Sequence, residues 1–415
     1  MLLTKCCISR ASGSDLRKGT ATPPQPLPYQ GRGRRQVGPR QGSRLRVALV
    51  AGALGYAGAA KQALYIAQSL HRAGVDIRVY SLSRGQFYDA RLQLLGIEPV
   101  WFGDHDNPLL RLGVLGAKLA AFRPHFVQSA NFFTNLYVGL GSRVCRALGI
   151  GTLRSDLTYE MEQNGGWARW LLRLPPVLLA NSFAARRNAE ALGVPPDRIA
   201  VLPNVIDLAD FDARRAATDT RAGGESIAAV VGTLFPVKRF DRFLTALARA
   251  RRLAPGLKGM IIGDGPERAA LEQKAQALGL LPDAVRFMGH CRDVAALLGG
   301  ADMLVISSDH EGFPNVVLEG MAACLPVVTT PAGDAGVVVE HGRSGYVVPF
   351  DDGEAMAVRM AHLARFPQLC RQLGTAARQR VERHYSFATL TDRLLDVYRG
   401  FARGQARQDL LRRLP

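Results

Sequence analysis

"DMLVISSDHEGFPNVVLEGMA", residues 302–322, packs a strand, a loop and a helix start into one short span. Met303 to Ile306 form an apolar run bounded by the polar residues that follow it, as a buried strand is. Pro314 then fits the first turn of a helix, where its missing N–H has no intrahelical partner to lose. Glu311 therefore falls in the loop and Glu319 on the helix. Gly312, Phe313, Pro314, Asn315 and Val316 make up the helix start, whose free amides and roughly half a positive charge attract a phosphate. With a rise of about 1.5 Å per residue, Glu319 stands about 7.5 Å along the axis from Pro314. That reach suits a ribose attached to a phosphate at the helix start, because a carboxylate accepts well from vicinal hydroxyls. Spacing alone fits two solvated surface glutamates equally well.

Working outward, the same strand-then-helix unit recurs. "LRVALVAG" (45–52) leads through a glycine turn, Gly55 to Gly58, into "GAAKQALYIAQSLHRAG" (58–74), which sets Ala63, Ile66, Ala67 and Leu70 on one helical face. Further strand patterns follow at 76–82, 125–130, 151–155 and 177–182. A second series runs at 226–232, 257–263, 285–289, 302–307 and 326–330. Strands alternating with helices predict parallel sheets covered on both faces, and two series predict an α/β protein of two doubly wound, Rossmann-like domains. The expected division is a basic arm at 1–44, a first domain at 45–205, a second at 206–385 and a C-terminal segment at 386–415. The stretch 203–226 is expected to be a polar linker. Ligands of such sheets bind at the carboxyl ends of strands, so the cleft between the domains is the expected site.

Composition agrees with this division. A chain of 415 residues is too long for one ordinary core, and roughly 150–200 residues per domain is usual. No apolar run approaches the roughly 18–20 residues of a membrane span. Six cysteines without a CxxC pair suit a reducing cytoplasm. Residues 1–44 carry nine Lys or Arg against one acid, +8 of the total +18, and leave +10 to the rest. That arm, rich in Gly, Pro, Gln and Ser, is expected to be disordered. Its composition is like that of an organellar transit peptide, and a start codon placed upstream of the native one accounts for it equally well. No nucleic-acid-binding module or interleaved aromatic stripe accompanies the charge.

"EGFPNVVLE" carries two glutamates separated by seven residues. With "VVGTLFPVKRFDRFLTALA" (230–248), "IIGDGPER" (261–268), "VRFMGHCRDVAALLGGADMLVISS" (285–308) and "PVVTTPAGDAGVVVEHGRSGYVVP" (326–349), it resembles the successive blocks of the retaining family 4 glycosyltransferases. These GT-B enzymes move sugars from nucleotide donors, many in bacterial polysaccharide assembly. The resemblance implies that Lys238 faces the donor diphosphate, Glu311 the donor sugar and Glu319 the ribose. It implies that Gly263 and Gly265 let backbone approach the nucleotide, that residues around His290 read the base, and that Gly55 and Gly58 pass close to the phosphates. Arg154 resembles an arginine found in part of the family, with acceptor or phosphate binding and a structural ion pair as equal readings.

Two departures stand out. Gln128 and Ala130 occupy positions where relatives carry histidines, which leaves Gln128 as the residue aligned with the acceptor side. Thr233 stands where relatives carry an arginine, for which Arg239 or Arg268 would have to compensate. A leaving phosphate oxygen can itself accept the acceptor's proton, so no separate protein base is required. No Asp-x-Asp signature is present, and the resemblance implies no metal and no cofactor. The expected partners are a UDP- or GDP-sugar and a glycan or lipid-linked acceptor, with peripheral contact between the basic surface and an anionic inner membrane face. The expected C-terminal helix places Leu390, Leu394, Leu395 and Tyr398 near one face and crosses back to the first domain. A GT-B nucleotide-sugar epimerase, or a nucleotide-sugar-binding protein without turnover, are the alternatives.

Overall fold

Every strand pairing is parallel, and the strands fall into two sheets. The computed structural model describes residues 44–404 apart from 56, 104–105, 155–156, 217–224 and 292; the basic arm before Arg44 and the basic end of the tail lie outside them. The first sheet contains β1 (Arg46–Ala51), β2 (Asp76–Ser81), β3 (Val100–Trp101), β4 (Phe126–Ser129), β5 (Leu148–Leu153), β6 (Val177–Ala180) and β7 (Ile199–Val201). Its order is β3-β2-β1-β4-β5-β6-β7. The second contains β8 (Ser226–Val231), β9 (Leu257–Ile262), β10 (Val285–Gly289), β11 (Met303–Ile306), β12 (Val327–Thr329) and β13 (Gly345–Val347), ordered β10-β9-β8-β11-β12-β13.

The central strands are apolar throughout because helices cover both their faces. Val47 to Ala51 and Met303 to Ile306 are buried without alternation. The short strands β3, β7 and β13 lie outside the expected set; all three are sheet edges of two or three residues, too short to show a pattern. In β5 the glycines Gly149 and Gly151 interrupt the apolar run, so the strand starts at Leu148 rather than 151.

Strand order reverses between β1 and β4 in one sheet and between β8 and β11 in the other. Such reversals open a crevice at the carboxyl ends, because the flanking connections leave in opposite directions. The loop holding Glu311 follows β11, Lys238 follows β8, and the Gly55 to Gly58 turn follows β1.

Leu202 and Val205 pack into the first core, whereas Ile206 and Phe211 pack into the second. Residues 203–226 are thus not all linker: Leu208–Ala216 is a helix whose Phe211 is fully buried. The chain crosses back beside its first crossing, where Ile206 N–H donates to Tyr385 O and Phe387 N–H to Ile206 O, each at 2.9 Å. Helix Leu390–Gly404 then buries Leu390, Leu394, Tyr398 and Phe401 in the first core. Each such side chain contributes about 1.5–3 kcal/mol of burial, which fixes the helix to the first domain.

Candidate active site

The second-domain wall is built around one carboxylate. Glu311 sits in the loop after β11, and Lys238 Nζ donates to both of its oxygens at 2.7 Å. Ser308 Oγ donates to Glu311 Oε1 at 2.8 Å, and Thr330 fixes Ser308 by donating to its carbonyl at 2.6 Å. Gly333, at φ +57°, passes so close to the Glu311 and Gly312 carbonyls that a Cβ would collide with them. Only glycine combines that backbone with that space.

Lys238 is held by a second layer. Arg239 bonds Asp241 and Asp309, and Arg242 donates to Asp309 Oδ1 at 2.7 Å and to the Ser307 carbonyl. Asp309 N–H donates to Val237 O, and Ser307 Oγ to Lys238 O, both at 3.0 Å. The loops after β8 and β11 are thereby tied together, which keeps Lys238 beside Glu311. Burial alone would raise the Asp309 carboxyl, but its hydrogen bonds from Arg239 and Arg242 outweigh that and hold it below the ordinary range.

Helix Asn315–Ala322 begins one residue later than expected. Pro314 takes the cap position with φ −78° and ψ 94°, because its ring suits extended backbone and Val317 N–H reaches back to its carbonyl at 3.0 Å. Asn315, at the first helical position, meets the first domain. Its Oδ1 accepts from Asn204 Nδ2 at 2.8 Å, and Asn204 Oδ1 accepts from Arg154 Nη1 at 3.1 Å. Gly58 opens helix Gly58–Arg72 directly against Asn315, and a Cβ there would run into the Asn315 amide. Two helix starts, one per domain, thus abut. Lys61, in the first turn of the Gly58 helix, reaches Glu319 Oε1 at 3.2 Å.

These residues enclose a cleft of about 530 Å³, lined from one side by Gly58, Lys61 and Tyr65 and from the other by Thr233, Lys238, Glu311 and Glu319. Phe313, Pro314, Asn315 and Val316 line it too, while Gly312 and Gly55 lie in the adjoining loops. The expected residues that stand apart are instructive. Gly263 and Gly265 press on the loop after β8, where a Cβ at Gly263 would strike the Gly232 carbonyl, so chain packing accounts for both glycines. His290 is exposed and outside the cleft lining. Gln128 is fully buried, and its Oε1 accepts from the Tyr398 hydroxyl at 2.6 Å. The acceptor-side expectation for Gln128 is therefore corrected: the C-terminal helix covers it. Arg154 forms no ion pair among the described residues; it lies behind the cleft, burial lowers its guanidinium to about 10, and it braces Asn204. Arg239 pairs with Asp241 and Asp309 and Arg268 with Glu272, and neither lines the cleft beside Thr233.

Sequence reasoning missed Lys61, Asn204 and the Asp309 cluster. Asp309 lay in the opening stretch, and an acid beside a loop crowded with arginines was its only signal. Among the described residues no group of three or more His, Cys, Asp or Glu is placed to hold a metal ion, and no helix is long and apolar enough to cross a membrane.

Residues 56–210 match the family described as Glycosyltransferase Family 4, and residues 214–380 the one described as Glycosyl transferases group 1. A D-inositol 3-phosphate glycosyltransferase of Saccharomonospora viridis is 32% identical over 218 residues, 49% of this chain and 50% of that protein. A lipopolysaccharide core biosynthesis glycosyltransferase, LpsD, of Rhizobium meliloti is 33% identical over 175 residues, 42% of this chain and 50% of that protein. The chain thus spans about half the length of these curated relatives. The crystal structure of Anabaena Alr3699/HepE in complex with UDP and glucose superposes with a TM-score of 0.72 at 19% identity, covering 85% of this chain and 99% of that one. Two parallel-sheet domains with these matches, one in each, make this chain a member of the family 4, group 1 glycosyltransferases with the GT-B fold.

Proposed function

We propose that the protein is a retaining, metal-independent glycosyltransferase that moves a hexosyl group from a UDP- or GDP-sugar to a glycan or lipid-linked acceptor in cell-surface polysaccharide assembly. The observation that carries this reading is the contact of Lys238 with both oxygens of Glu311 beside the start of helix Asn315–Ala322. A nucleotide-sugar joins its sugar to a phosphate through one C–O bond. A cation for the phosphate and an acid for the sugar must therefore be neighbours, as these two are. Glu311 meets the sugar hydroxyls, Lys238 and the helix start carry the charge that grows on the departing phosphate, and Glu319 takes the ribose.

In the reaction the anomeric C–O bond to phosphate breaks with its electron pair leaving on the phosphate oxygen. The acceptor oxygen bonds the same face of the anomeric carbon, and its proton passes to that phosphate oxygen. Charge stabilisation by Lys238 replaces a divalent cation. The LpsD relative supports a polysaccharide setting, and HepE, solved with UDP and glucose, supports a nucleotide-sugar donor. Contact with an anionic membrane face belongs to the same reading and rests on the basic charge.

The test is a panel of UDP-, GDP- and ADP-sugars, read by thermal shift and nucleotide release, with NMR of the product. A stabilising donor, release that grows with acceptor and an α-linked product from an α-linked donor are expected. Donor conversion without acceptor would instead identify an epimerase, and binding without transfer or hydrolysis a sugar-nucleotide sensor.

A further inference from the structure

Each cation lining the cleft among the described residues is tied to a carboxylate. Lys238 holds Glu311, while Arg91 and Arg214 both hold Asp210. Lys61, like Arg91, comes from the first domain and pairs with a carboxylate of the second, but its pair is the shorter and more buried: where Arg91 is half exposed, Lys61 and Glu319 are both about one-fifth exposed. Its partner is also the carboxylate that, on the reading above, accepts the ribose hydroxyls.

The surroundings favour a phosphate as the alternative partner of Lys61. Its helix opens at Gly58, against Asn315, and Lys61 lines one cleft with the residues of both helix starts. Thr233 supplies no charge to the same cleft, and Arg239 and Arg268 are engaged elsewhere. Burial alone would lower the Lys61 ammonium, but Glu319, with Tyr65 and Tyr88, outweighs it and raises it above its ordinary value. The group is therefore charged at any physiological pH.

We propose that Lys61 is a second cation for the donor diphosphate, contributed by the first domain. When ribose hydroxyls donate to Glu319, Lys61 turns its ammonium onto a phosphate oxygen, so that donor capture draws the two domains together. The inference rests on the donor site proposed above.

The experiment titrates UDP and GDP calorimetrically into the full chain, and the nucleoside of whichever binds by competition. Lys61→Met is expected to weaken the diphosphate about tenfold, as loss of one charge-assisted hydrogen bond does, and to leave the nucleoside unchanged. Lys61→Arg is expected to stay within about threefold of the wild type, since it keeps the charge. The loss is expected to persist in a Glu319→Gln background. Wild-type affinity in Lys61→Met, equal loss of diphosphate and nucleoside, or disappearance of the effect with Glu319→Gln would each overturn the assignment while leaving the donor site standing. Failure of the wild type to bind either diphosphate would overturn both.

Discussion

The two walls of the cleft are built on opposite plans. The second-domain wall is a locked charge network: Lys238 and Glu311 are held by Ser308, Asp309, Arg239 and Arg242, all on the segments that follow neighbouring strands β8 and β11. The first-domain wall carries no such network: Gly58 stands at a helix start beside Leu64, Tyr65, Phe87 and Tyr88, and Lys61 and Arg91 reach across singly to Glu319 and Asp210. A locked network presents fixed charges at no reorganisation cost, whereas a glycine turn lets the opposite wall come close. The charged network is thus concentrated in one domain, and the other abuts it where Gly58 meets Asn315.

Breaking the locked wall has the largest expected effect. Lys238→Ala removes the cation and leaves Glu311 with an uncompensated charge, and turnover is expected to fall about 10³-fold, measured as nucleotide release under saturating donor. Spoiling the close approach comes next. Gly58→Val puts a side chain where the Asn315 amide lies, so Asn315 must turn away from its place beside Asn204; KM for donor is expected to rise about tenfold with a smaller change in kcat. Equal kinetics for Gly58→Val and wild type would show that the first wall needs no close approach.

The smallest effect is one of pH and sharpens the contrast from the second wall. Asp309 and Asp241 are held below the ordinary carboxylate range by Arg239 and its neighbours, against the opposing effect of burial. Their folded pKa lies below the unfolded one, so the stability they add is full above roughly pH 4 and lost as pH falls through the lowered values. Thermal melts should show wild type above Asp309→Asn near neutrality and the gap shrinking in acid. A gap independent of pH would mean that the Asp309 cluster adds no ionic stabilisation.

The fold was legible in the chain because buried parallel strands are written as uninterrupted apolar runs, as in Val47 to Ala51. Edge strands such as β3 carry two residues and no such signal. The separation of the two glutamates was legible because they sit on either side of one helix start, whereas their roles came from the family resemblance and not from the spacing. Lys61 and Glu319 are separated by 258 positions, and nothing local marks them as partners. Gln128 shows the opposite failure. Its alignment with histidines of the family suggested the acceptor side, but a tyrosine 270 positions away covers it.

In the donor site proposed above, Glu311 and Glu319, on either side of Pro314, serve different parts of one donor. The most direct measurement is kcat and nucleotide Kd for Glu311→Gln and Glu319→Gln on the donor identified by the panel. Glu311→Gln is expected to lower kcat with little change in Kd, and Glu319→Gln to raise Kd. Unchanged values in both variants, or the same change in both, would contradict it.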